Sequence, residues 1–297
     1  MKSGFVAIIG KPNAGKSTLM NVLIGEKVSI VSWRPQTTRN KITGILTSSA
    51  YQIVFLDTPG IHTPRTELGG YMMKAVSSAV NDVDVILFVA DAVREIDSRD
   101  IELLKEYAGT YINVVVVINK VDEVLPEKVF SEIEKLKDIE GIHKIIPISA
   151  LKGNNISLLR DELIKLMPDG AQYYPEDMIT DRTVRFMTAE ILREKALKFL
   201  AEEVPHGIGV DIRKFKERED KPIIDIYADI ICEKESHKAI IIGRSGETLK
   251  KISSIARQDI EKLLDSQVFL KTFVKIKEGW RDDGNTLRDL GYDKREI

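Results

Sequence analysis

The segment Gly10–Ser17, with the sequence GKPNAGKS, constrains the fold of this chain most, because it matches the phosphate-binding pattern GxxxxGK[ST]. It directly follows the apolar run Phe5–Ile9, which is typical of a buried strand, and precedes Leu19–Ile24, whose apolar residues have helical spacing. The loop therefore opens onto a helix N-terminus, where the partial positive charge favours an anion. This context predicts a nucleoside triphosphate site, against the alternative of a chance match in a surface loop.

Each part of this loop has a predicted role. Gly10 and Gly15 allow backbone N–H groups to surround phosphates, where a Cβ would obstruct them. Lys16 supplies positive charge to the outer phosphates, and the Ser17 hydroxyl is a predicted Mg²⁺ ligand. The predicted nucleotide contacts in this segment are Gly10, Lys11, Pro12, Asn13, Ala14, Gly15, Lys16, Ser17 and Thr18.

A second motif predicts which base is bound. The β-branched run Val114–Ile118 is typical of a strand buried on both faces, and it is followed by Asn119-Lys120-Val121-Asp122. A carboxylate at Asp122 can accept hydrogen bonds from N1–H and the 2-amino group of guanine, whereas adenine lacks both donors. Such discrimination reaches roughly 10⁴. Asn119, Lys120 and Asp122 are therefore predicted guanine contacts, with the apolar stem of Lys120 on the ring and its ammonium turned towards the phosphate loop.

Two further segments occupy similar positions after predicted strands. Ile53–Leu56 is followed by Asp57-Thr58-Pro59-Gly60, in which Asp57 is predicted to hold Mg²⁺ and the Gly60 N–H to contact the γ-phosphate. A simple turn is the alternative. Ile145–Ile148 is followed by Ser149, Ala150 and Leu151, which resemble a loop whose backbone N–H meets the base carbonyl, although these three residues carry little information alone.

Strands and helices alternate through the first part of the chain. Predicted strands lie near residues 5–9, 53–57, 85–90, 113–118 and 145–148, with helices at 100–107, 129–136 and 156–166. This predicts an α/β P-loop NTPase domain with a mostly parallel sheet and helices on both faces, and a ligand site at the carboxyl ends of the strands. We place this domain at residues 1–168 and a linker at 169–182.

The pattern of residues 183–297 predicts a second domain of the α+β class with a C-terminal tail. The pattern gives an amphipathic helix at Val184–Leu200, strands at 208–215 and 223–231, and a final strand at 268–276. Between the strands, Ala239–Gly246 (AIIIGRSG) resembles the IIGxxG loop of KH domains, whose glycines let the backbone approach about four unpaired nucleotides. Periodicity does not distinguish strand from helix at Lys238–Ile242; the resemblance implies a helix and the type II KH order.

The predicted RNA contacts combine this loop with the basic helix that follows. A helix–turn–helix surface contact is the alternative to RNA binding. Residues 181–297 carry 24 Lys and Arg against 23 Asp and Glu, so we expect binding by a local patch with a small salt dependence. The predicted contacts are Gly243, Arg244, Ser245, Gly246, Lys250 and Lys251.

Residues 5–167 resemble the translation-factor-class GTPases, and Arg34–Arg39 (RPQTTR) resembles the switch segment of the Era, EngA and MnmE branch. The resemblance implies that Thr38 closes on Mg²⁺ and the γ-phosphate, with Thr37 as the alternative. It gives Lys16, Thr38 and Gly60 as catalytic residues, and Ser17, Thr38 and Asp57 as metal ligands.

Two positions bear on hydrolysis. Ile61 follows Gly60 where Ras-type enzymes place the glutamine that orients water, so slow intrinsic turnover is expected. The resemblance also suggests that Asn13 helps to bind K⁺ near the phosphates; hydrogen bonding within the loop is the alternative role.

A GTPase of this branch followed by one KH domain resembles the Era family across the whole chain. The resemblance implies a GTP-hydrolysing, Mg²⁺-dependent switch that binds the 3′ end of 16S ribosomal RNA and assists assembly of the small ribosomal subunit. It implies a cytoplasmic monomer, with peripheral association at the inner face of the cell membrane left open. The competing class is a GTP-dependent membrane or cell-cycle signalling protein whose second domain binds protein.

The amino-acid composition does not distinguish between these two functional classes. A single cysteine, Cys232, excludes an internal disulfide framework, and four histidines show no metal-ligand spacing. No run of about 20 apolar residues predicts a transmembrane helix.

Overall fold

The computed structural model describes residues 1–110, 113–200 and 204–293. The first domain contains a six-stranded sheet with the order β2-β3-β1-β4-β5-β6. β2 is antiparallel to β3, and the other neighbouring pairs are parallel, as the predicted fold class requires. The strands are β1 (Lys2–Ile9), β2 (Ile42–Thr47), β3 (Tyr51–Asp57), β4 (Val85–Asp91), β5 (Asn113–Asn119) and β6 (Ile142–Pro147).

Helices cover both faces of this sheet. Alternate residues of β1 point to opposite faces, so Val6 and Ile8 join one core cluster while Ala7 and Ile9 join another. The first cluster includes side chains of α1 and α5, and the second includes side chains of α2, α3 and α4. The helices are α1 (Lys16–Ile24), α2 (Glu67–Val80), α3 (Ser98–Ala108), α4 (Pro126–Leu136) and α5 (Ile156–Leu166).

Strand β2 was not predicted, because it is a short edge strand with a glycine at its centre. A Cβ on Gly44 would lie 2.3 Å from Cδ1 of Ile24 and 2.9 Å from Sδ of Met20. The missing side chain therefore lets α1 pack closely on the sheet. Because the glycine interrupts the alternation of apolar residues, the sequence pattern does not predict a strand here.

The second domain has a three-stranded sheet of β7 (Gly209–Glu217), β8 (Ile223–Cys232) and β9 (Gln267–Ile276). β7 and β8 are antiparallel, and β8 and β9 are parallel. The helices are α6 (Val184–Phe199), α7 (Glu235–Ile242), α8 (Glu247–Leu264) and α9 (Gly284–Asp289). Residues 238–242 therefore lie in a helix, and the order predicted for a type II KH domain is confirmed. Residues 294–297 of the predicted tail lie outside the described residues.

The amphipathic character predicted for α6 is wrong. Arg193, Glu194 and Lys195 are buried together with the apolar residues that pack on the KH sheet. The reason is tertiary: the middle of the polar side contacts residues of the first domain, so Arg193, Glu194 and Lys195 are shielded from water.

The predicted linker contacts the first domain. The N–H groups of Tyr173 and Tyr174 donate to Oε1 of Gln52 at 2.8 and 3.0 Å, and Thr180 donates to the carbonyl of Thr43 at 2.7 Å. A third contact lies after β9, where Trp280 is fully buried in a cluster with Tyr71 of α2. The two domains are thus joined at several places. No helix in the described part of the chain is long and apolar enough to cross a membrane.

Candidate functional site

The phosphate-binding loop runs from the end of β1 into α1, at the carboxyl edge of the sheet. Gly10 has φ 144° and Gly15 has φ 94°, a region that favours glycine. A Cβ on Gly10 would lie 2.3 Å from the carbonyl oxygen of Val89, and one on Gly15 would lie 2.2 Å from Nδ2 of Asn119. Both glycines are therefore required by β4 and by Asn119, in addition to any requirement from a phosphate.

Lys16 is buried beneath this loop. Its ammonium donates to the carbonyls of Gly10 at 2.9 Å and Lys11 at 3.0 Å. Burial lowers the pKa of Lys16 to about 8, against a smaller opposing effect of Asp57. The loop holds a cation with few compensating charges, so a bound polyphosphate anion would be strongly favoured.

Three oxygen-bearing side chains meet beside Lys16. The Ser17 hydroxyl donates to Oδ2 of Asp57 at 2.6 Å and lies 2.8 Å from Oγ1 of Thr38, which is itself 3.4 Å from the same carboxylate oxygen. Oδ1 of Asp57 is buried without a hydrogen-bond partner. Hydroxyl and carboxylate oxygens around an unsatisfied acceptor are a donor set that suits Mg²⁺.

The geometry distinguishes between the two threonines that the sequence left open. Thr37 donates its hydroxyl to the carbonyl of Arg34 at 2.7 Å, whereas Thr38 faces Ser17 and Asp57. Ser29 was not predicted as a site residue, yet its buried hydroxyl donates to Oδ2 of Asp57 at 2.8 Å. Burial raises the pKa of Asp57, while these hydroxyl hydrogen bonds and Lys16 act in the opposite direction.

Lys11 and Asn13, both in the phosphate-binding loop, bind groups outside that loop. The ammonium of Lys11 binds Asp97 at 2.7 Å and Asp100 at 2.8 Å, at the start of α3, so the side chain predicted to contact nucleotide is held by that helix instead. Asn13 has φ 65° and donates from Nδ2 to the carbonyl of Trp33 at 2.8 Å. Asn13 therefore joins the phosphate loop to the segment that carries Thr37 and Thr38.

The residues predicted to contact the base lie after β5 and β6. Asn119 is buried; its Nδ2 donates to the carbonyl of Ala14 at 2.8 Å, and its Oδ1 accepts from the N–H of Ala150 at 2.9 Å. This one side chain therefore joins the phosphate loop to the Ser149–Leu151 loop. The N–H of Ala150 is already bonded in this arrangement, and Leu151 is exposed.

Lys120 and Asp122 complete this end of the site. The ammonium of Lys120 binds Asp91 at 2.6 Å, at the end of β4, and not the phosphate loop as expected. Asp122 lies in a single 3₁₀ turn, Val121–Glu123, and its carboxylate is exposed. An exposed acid here is available to a base that enters from solvent.

A cavity of about 460 Å³ connects these parts. Pro12 and Thr18 line it near the phosphate loop, and Lys120 lines it at the end where the base is predicted to bind. Gly60 also lines it, and a Cβ there would lie 2.6 Å from backbone atoms of Pro12. Ile61 donates its N–H to the carbonyl of Gly10 at 3.1 Å and packs its side chain against the core, so that side chain cannot orient water.

The segment 27–39, here called the switch segment, contacts the second domain directly. Arg193 of α6 donates to the carbonyl of Thr37, and Arg39 donates to the carbonyl of Ile208 at 2.6 Å. Arg34 donates to the carbonyl of Leu200 at 2.8 Å, at the end of α6. These buried or half-buried contacts were not predicted, because mid-helix charges in a sequence are usually solvent-facing.

A chain of charged groups extends these contacts across α6. Glu194 accepts from the N–H of Val31 at 3.0 Å and from the ammoniums of Lys27 and Lys195, both at 2.7 Å. Lys195 also binds Asp259 of α8 at 2.5 Å. The switch segment is thereby linked to the helix that begins at the GxxG loop.

The GxxG loop connects α7 to α8. Gly243 has φ 73°, and a Cβ there would lie 2.2 Å from Oγ1 of Thr248; Gly246 has φ 81°. Arg244 and Ser245, between the glycines, are exposed. Beside the loop, a groove of about 360 Å³ runs between α8 and β9. It is lined by Gly246, Leu249, Lys250, Ser253, Ser254, Arg257, Leu270 and Thr272.

The two lysines predicted to act together are separated in the structure. Lys250 lines the groove, but the ammonium of Lys251 lies 4.6 Å from the ring centroid of Phe199, on α6. Successive helical residues point in directions about 100° apart, so adjacent lysines cannot both face one groove. Arg257, two turns further along α8, lines the groove and pairs with Glu261 at 2.6 Å.

Comparison with known proteins agrees with both parts of this architecture. A model described as a 50S ribosome-binding GTPase matches residues 5–120, and a KH domain model matches residues 203–281. GTPase Era from Clostridium botulinum is 52% identical over 293 residues, covering 99% of both chains. GTPase Era from Clostridium kluyveri is also 52% identical, over 98% of this chain and 99% of that relative.

Solved structures give the same result. A variant of Aquifex aeolicus Era bound to GDP and aluminium fluoride is 41% identical, has a TM-score of 0.94, and matches 98% of this chain and 99% of that one. Era in complex with MgGDPNP and nucleotides 1506–1542 of 16S ribosomal RNA gives the same identity, TM-score and coverage. Since the identity extends over almost the full length of chain and relatives, and covers both the nucleotide cavity and the GxxG groove, this protein belongs to the Era family of GTPases.

Proposed function

We propose that this GTPase binds the unpaired 3′ end of 16S ribosomal RNA in the groove between the GxxG loop and β9, and so assists assembly of the small ribosomal subunit. The observation that carries the proposal is the direct contact between the switch segment and α6, which joins the nucleotide cavity to the groove. A related Era of nearly identical fold binds that RNA segment together with MgGDPNP, which supports the choice of RNA.

We assign the nucleotide site as follows. Lys16 binds the outer phosphates, Asn119 positions the Ser149–Leu151 loop, and Asp122 accepts hydrogen bonds from guanine. Ser17, Thr38 and Asp57 would hold Mg²⁺, which when bound neutralises charge on the phosphates. The Gly60 N–H, held against Pro12, would donate to the γ-phosphate, and the switch segment excludes water from that side of the cavity.

With Ile61 packed into the core, water must be activated without a side chain at that position. We infer that K⁺ contributes here, bound near Asn13 and the carbonyl of Trp33, which already lie within hydrogen-bonding distance of each other. Hydrolysis measured in KCl and in NaCl at equal ionic strength tests this part alone. Equal rates would remove K⁺ from the proposal and leave the GTPase assignment unaffected.

The same contacts imply coupling between nucleotide and RNA. If GTP holds the switch segment in the position that α6 requires, RNA and GTP each favour the same domain arrangement, and their effects on each other's affinity must be equal. The expected result is tighter binding of a 16S 3′-end oligonucleotide to the form loaded with a GTP analogue than to the GDP form. Equal affinities would mean two independent modules.

The RNA assignment has its own test. Asp at Gly243 and Gly246 would place carboxylates where phosphates are proposed to lie, in a loop whose positive φ angles already disfavour side chains. Binding of the oligonucleotide should be lost while GTP hydrolysis without RNA continues. Neither glycine lines the nucleotide cavity, so loss of hydrolysis as well would indicate misfolding, and retained RNA binding would refute the groove.

We infer that the protein works in the cytoplasm with its RNA. Its net charge of −2 gives an anionic lipid surface no general attraction. Sedimentation with phosphatidylglycerol vesicles tests the remaining option of peripheral membrane association, and would show the protein in the supernatant.

A further inference from the structure

The KH sheet has a second face, opposite α6 and α8, that the groove does not use. Along β9, the residues that alternate with the groove side are exposed: Phe269, Lys271, Phe273 and Lys275. Phe269 is 45% exposed and Phe273 is 42% exposed. We call this surface, formed by β9 with Tyr227 of β8 and Lys214 of β7, the outer sheet face. Two phenylalanines facing solvent on one strand are an exposed apolar feature that a binding function would explain.

Aromatic rings and cations alternate on the outer sheet face. Tyr227 lies opposite Lys271 in the sheet register, and its ring is 6.4 Å from that of Phe269. The ammonium of Lys271 lies 5.2 Å from the ring of Phe273 and 6.0 Å from that of Tyr227. Lys214 lies 4.9 Å from the Tyr227 ring and Arg218 lies 5.4 Å from the Phe269 ring, so each of the three rings has a cation beside it.

The charge of this face also suits an anion. Its cationic side chains are Arg213, Lys214, Lys216, Arg218, Lys271 and Lys275, and their carboxylate partners are Asp211, Asp225, Asp229 and Glu219. Among the described residues Lys271, at the centre, forms no ion pair. The face is therefore moderately positive, which fits a ligand held by stacking and by a few phosphate contacts.

The outer sheet face is continuous with the groove. β9 supplies Leu270 and Thr272 to the groove and Phe269 to the outer face. A depression of about 660 Å³ that includes Arg257, Phe269 and Arg218 lies between them. Arg257 lines both the groove and this depression, so a strand leaving the groove past Arg257 reaches Phe269 without crossing a covered surface.

We propose that the outer sheet face binds further unpaired nucleotides of the RNA held in the groove. Bases stack on Phe269, Phe273 and Tyr227, and phosphates contact Lys271 and its neighbours. Residues 269 and 273 are about 13 Å apart along the strand, so their rings take separate bases. Every base has a face that can stack, so this surface extends the bound length without reading sequence. The inference rests on the RNA-binding function proposed above.

The test compares two RNAs on the full-length protein loaded with a GTP analogue. The short RNA has about five unpaired nucleotides, enough for the groove, and the long RNA extends it by about ten on each side. The double variant Phe269→Ala/Phe273→Ala should lower the affinity for the long RNA by about tenfold or more. Its affinity for the short RNA should stay within about twofold of the wild-type value. Phe269→Tyr/Phe273→Tyr, which keeps the rings, should restore binding.

Phe130→Ala is the matched control, because Phe130 is an exposed ring, 66% exposed, on α4 of the first domain. It should change neither affinity. Unchanged binding of the long RNA to the double alanine variant would overturn the inference, and a protein would then be the expected partner of the outer sheet face. An equal loss for both RNAs, or a loss that the tyrosine variant does not restore, would also overturn it. If the wild type bound neither RNA, the RNA-binding function itself would fall.

Discussion

The link between the switch segment and the KH domain is expected to weaken when Glu194 is replaced by glutamine. Glu194 lies on α6, whereas Lys27 and Val31, which donate to it, belong to the first domain. Glutamine has the same shape and still accepts from the N–H of Val31, but it lacks the charge and presents an amide group to the two ammoniums. The substitution therefore acts on the contact between the domains and leaves both cores intact.

The magnitude follows from the burial of each partner. A hydrogen bond to a charged group contributes about 1 kcal/mol more than a neutral one. Lys27 is 48% exposed, so solvent screening reduces its share, and Lys195 keeps its bond to Asp259 at 2.5 Å. The loss is thus smaller than the roughly 3–5 kcal/mol expected for breaking a fully buried pair. We expect about 2 kcal/mol, or about 30-fold in the equilibrium between joined and separated domains.

Two measurements detect this loss: the urea midpoint of unfolding, and the ratio of RNA affinities between the GTP-analogue and GDP forms. The ratio should fall towards one. Glu134→Gln is the control, since it removes one carboxylate from an exposed pair with Lys137 on α4 and should change the free energy of unfolding by less than about 0.5 kcal/mol. If Glu194→Gln matched this control in both measurements, the link through Glu194 would be refuted.

Lowering the pH should weaken the contact between the domains in the same way as the Glu194→Gln substitution. Burial alone would raise the pKa of Glu194, but hydrogen bonds from Lys195 and Lys27 hold the pKa below its ordinary value of 4.5. A carboxylate with a lowered folded-state pKa stabilises fully above its unfolded pKa, and this stabilisation is lost as the pH falls through the folded value. The difference in free energy of unfolding between wild type and Glu194→Gln should therefore be full at pH 7. It should shrink as the pH falls below about 4.5.

Three other substitutions test the packing that positions the site. Gly60→Ala places a Cβ 2.6 Å from Pro12 and should lower phosphate release at saturating GTP by about 100-fold while GDP binding persists; unchanged release would exclude the Gly60 N–H from the reaction. Gly44→Ala should lower the free energy of unfolding by about 1–3 kcal/mol in urea titrations, since its Cβ would overlap Ile24, and a neutral effect would mean that α1 moves freely. Trp280→Ala empties a fully buried position and should cost about 3–5 kcal/mol by the same measurement; a loss below 1 kcal/mol would mean that the cluster around Trp280 contributes little to stability.

Sequence patterns predicted the parallel strands of the first domain well, because each is an apolar run, and β3 and β5 end in a motif residue. Asp57 and Asn119 are both the last residue of a strand, and this placement brings them to one edge of the sheet. The side-chain directions of Lys11 and Lys120 could not be predicted in this way. Their partners, Asp97 and Asp91, lie outside the motifs and approach only when the sheet and α3 are assembled.

The second domain shows a different limit. Phe269 and Phe273 alternate with partly buried residues, a pattern that equally suits a strand covered on both sides. Only the assembled sheet shows that α6 and α8 occupy one face, and that the rings remain on the other. The sequence thus identified the glycine loop by its motif but gave no signal for the surface beside it.

The contacts of α6 suggest why a helix with charges in its middle joins the two domains. Arg193 binds the carbonyl of Thr37, and Glu194 binds the N–H of Val31. Both partners are backbone groups, so these two contacts depend on the path of the switch segment, to which the Lys27 side chain adds a contact with Glu194. Thr38, the next residue, lies at the proposed Mg²⁺ site. A shift of Thr38 by the length of one hydrogen bond would move the Thr37 carbonyl away from the buried guanidinium of Arg193. The guanidinium would keep its ion pair with Glu190 but lose its contact with the switch segment, and losing a hydrogen bond to a charged group in a buried interface is costly. The arrangement of the domains should therefore depend on whether Thr38 is held.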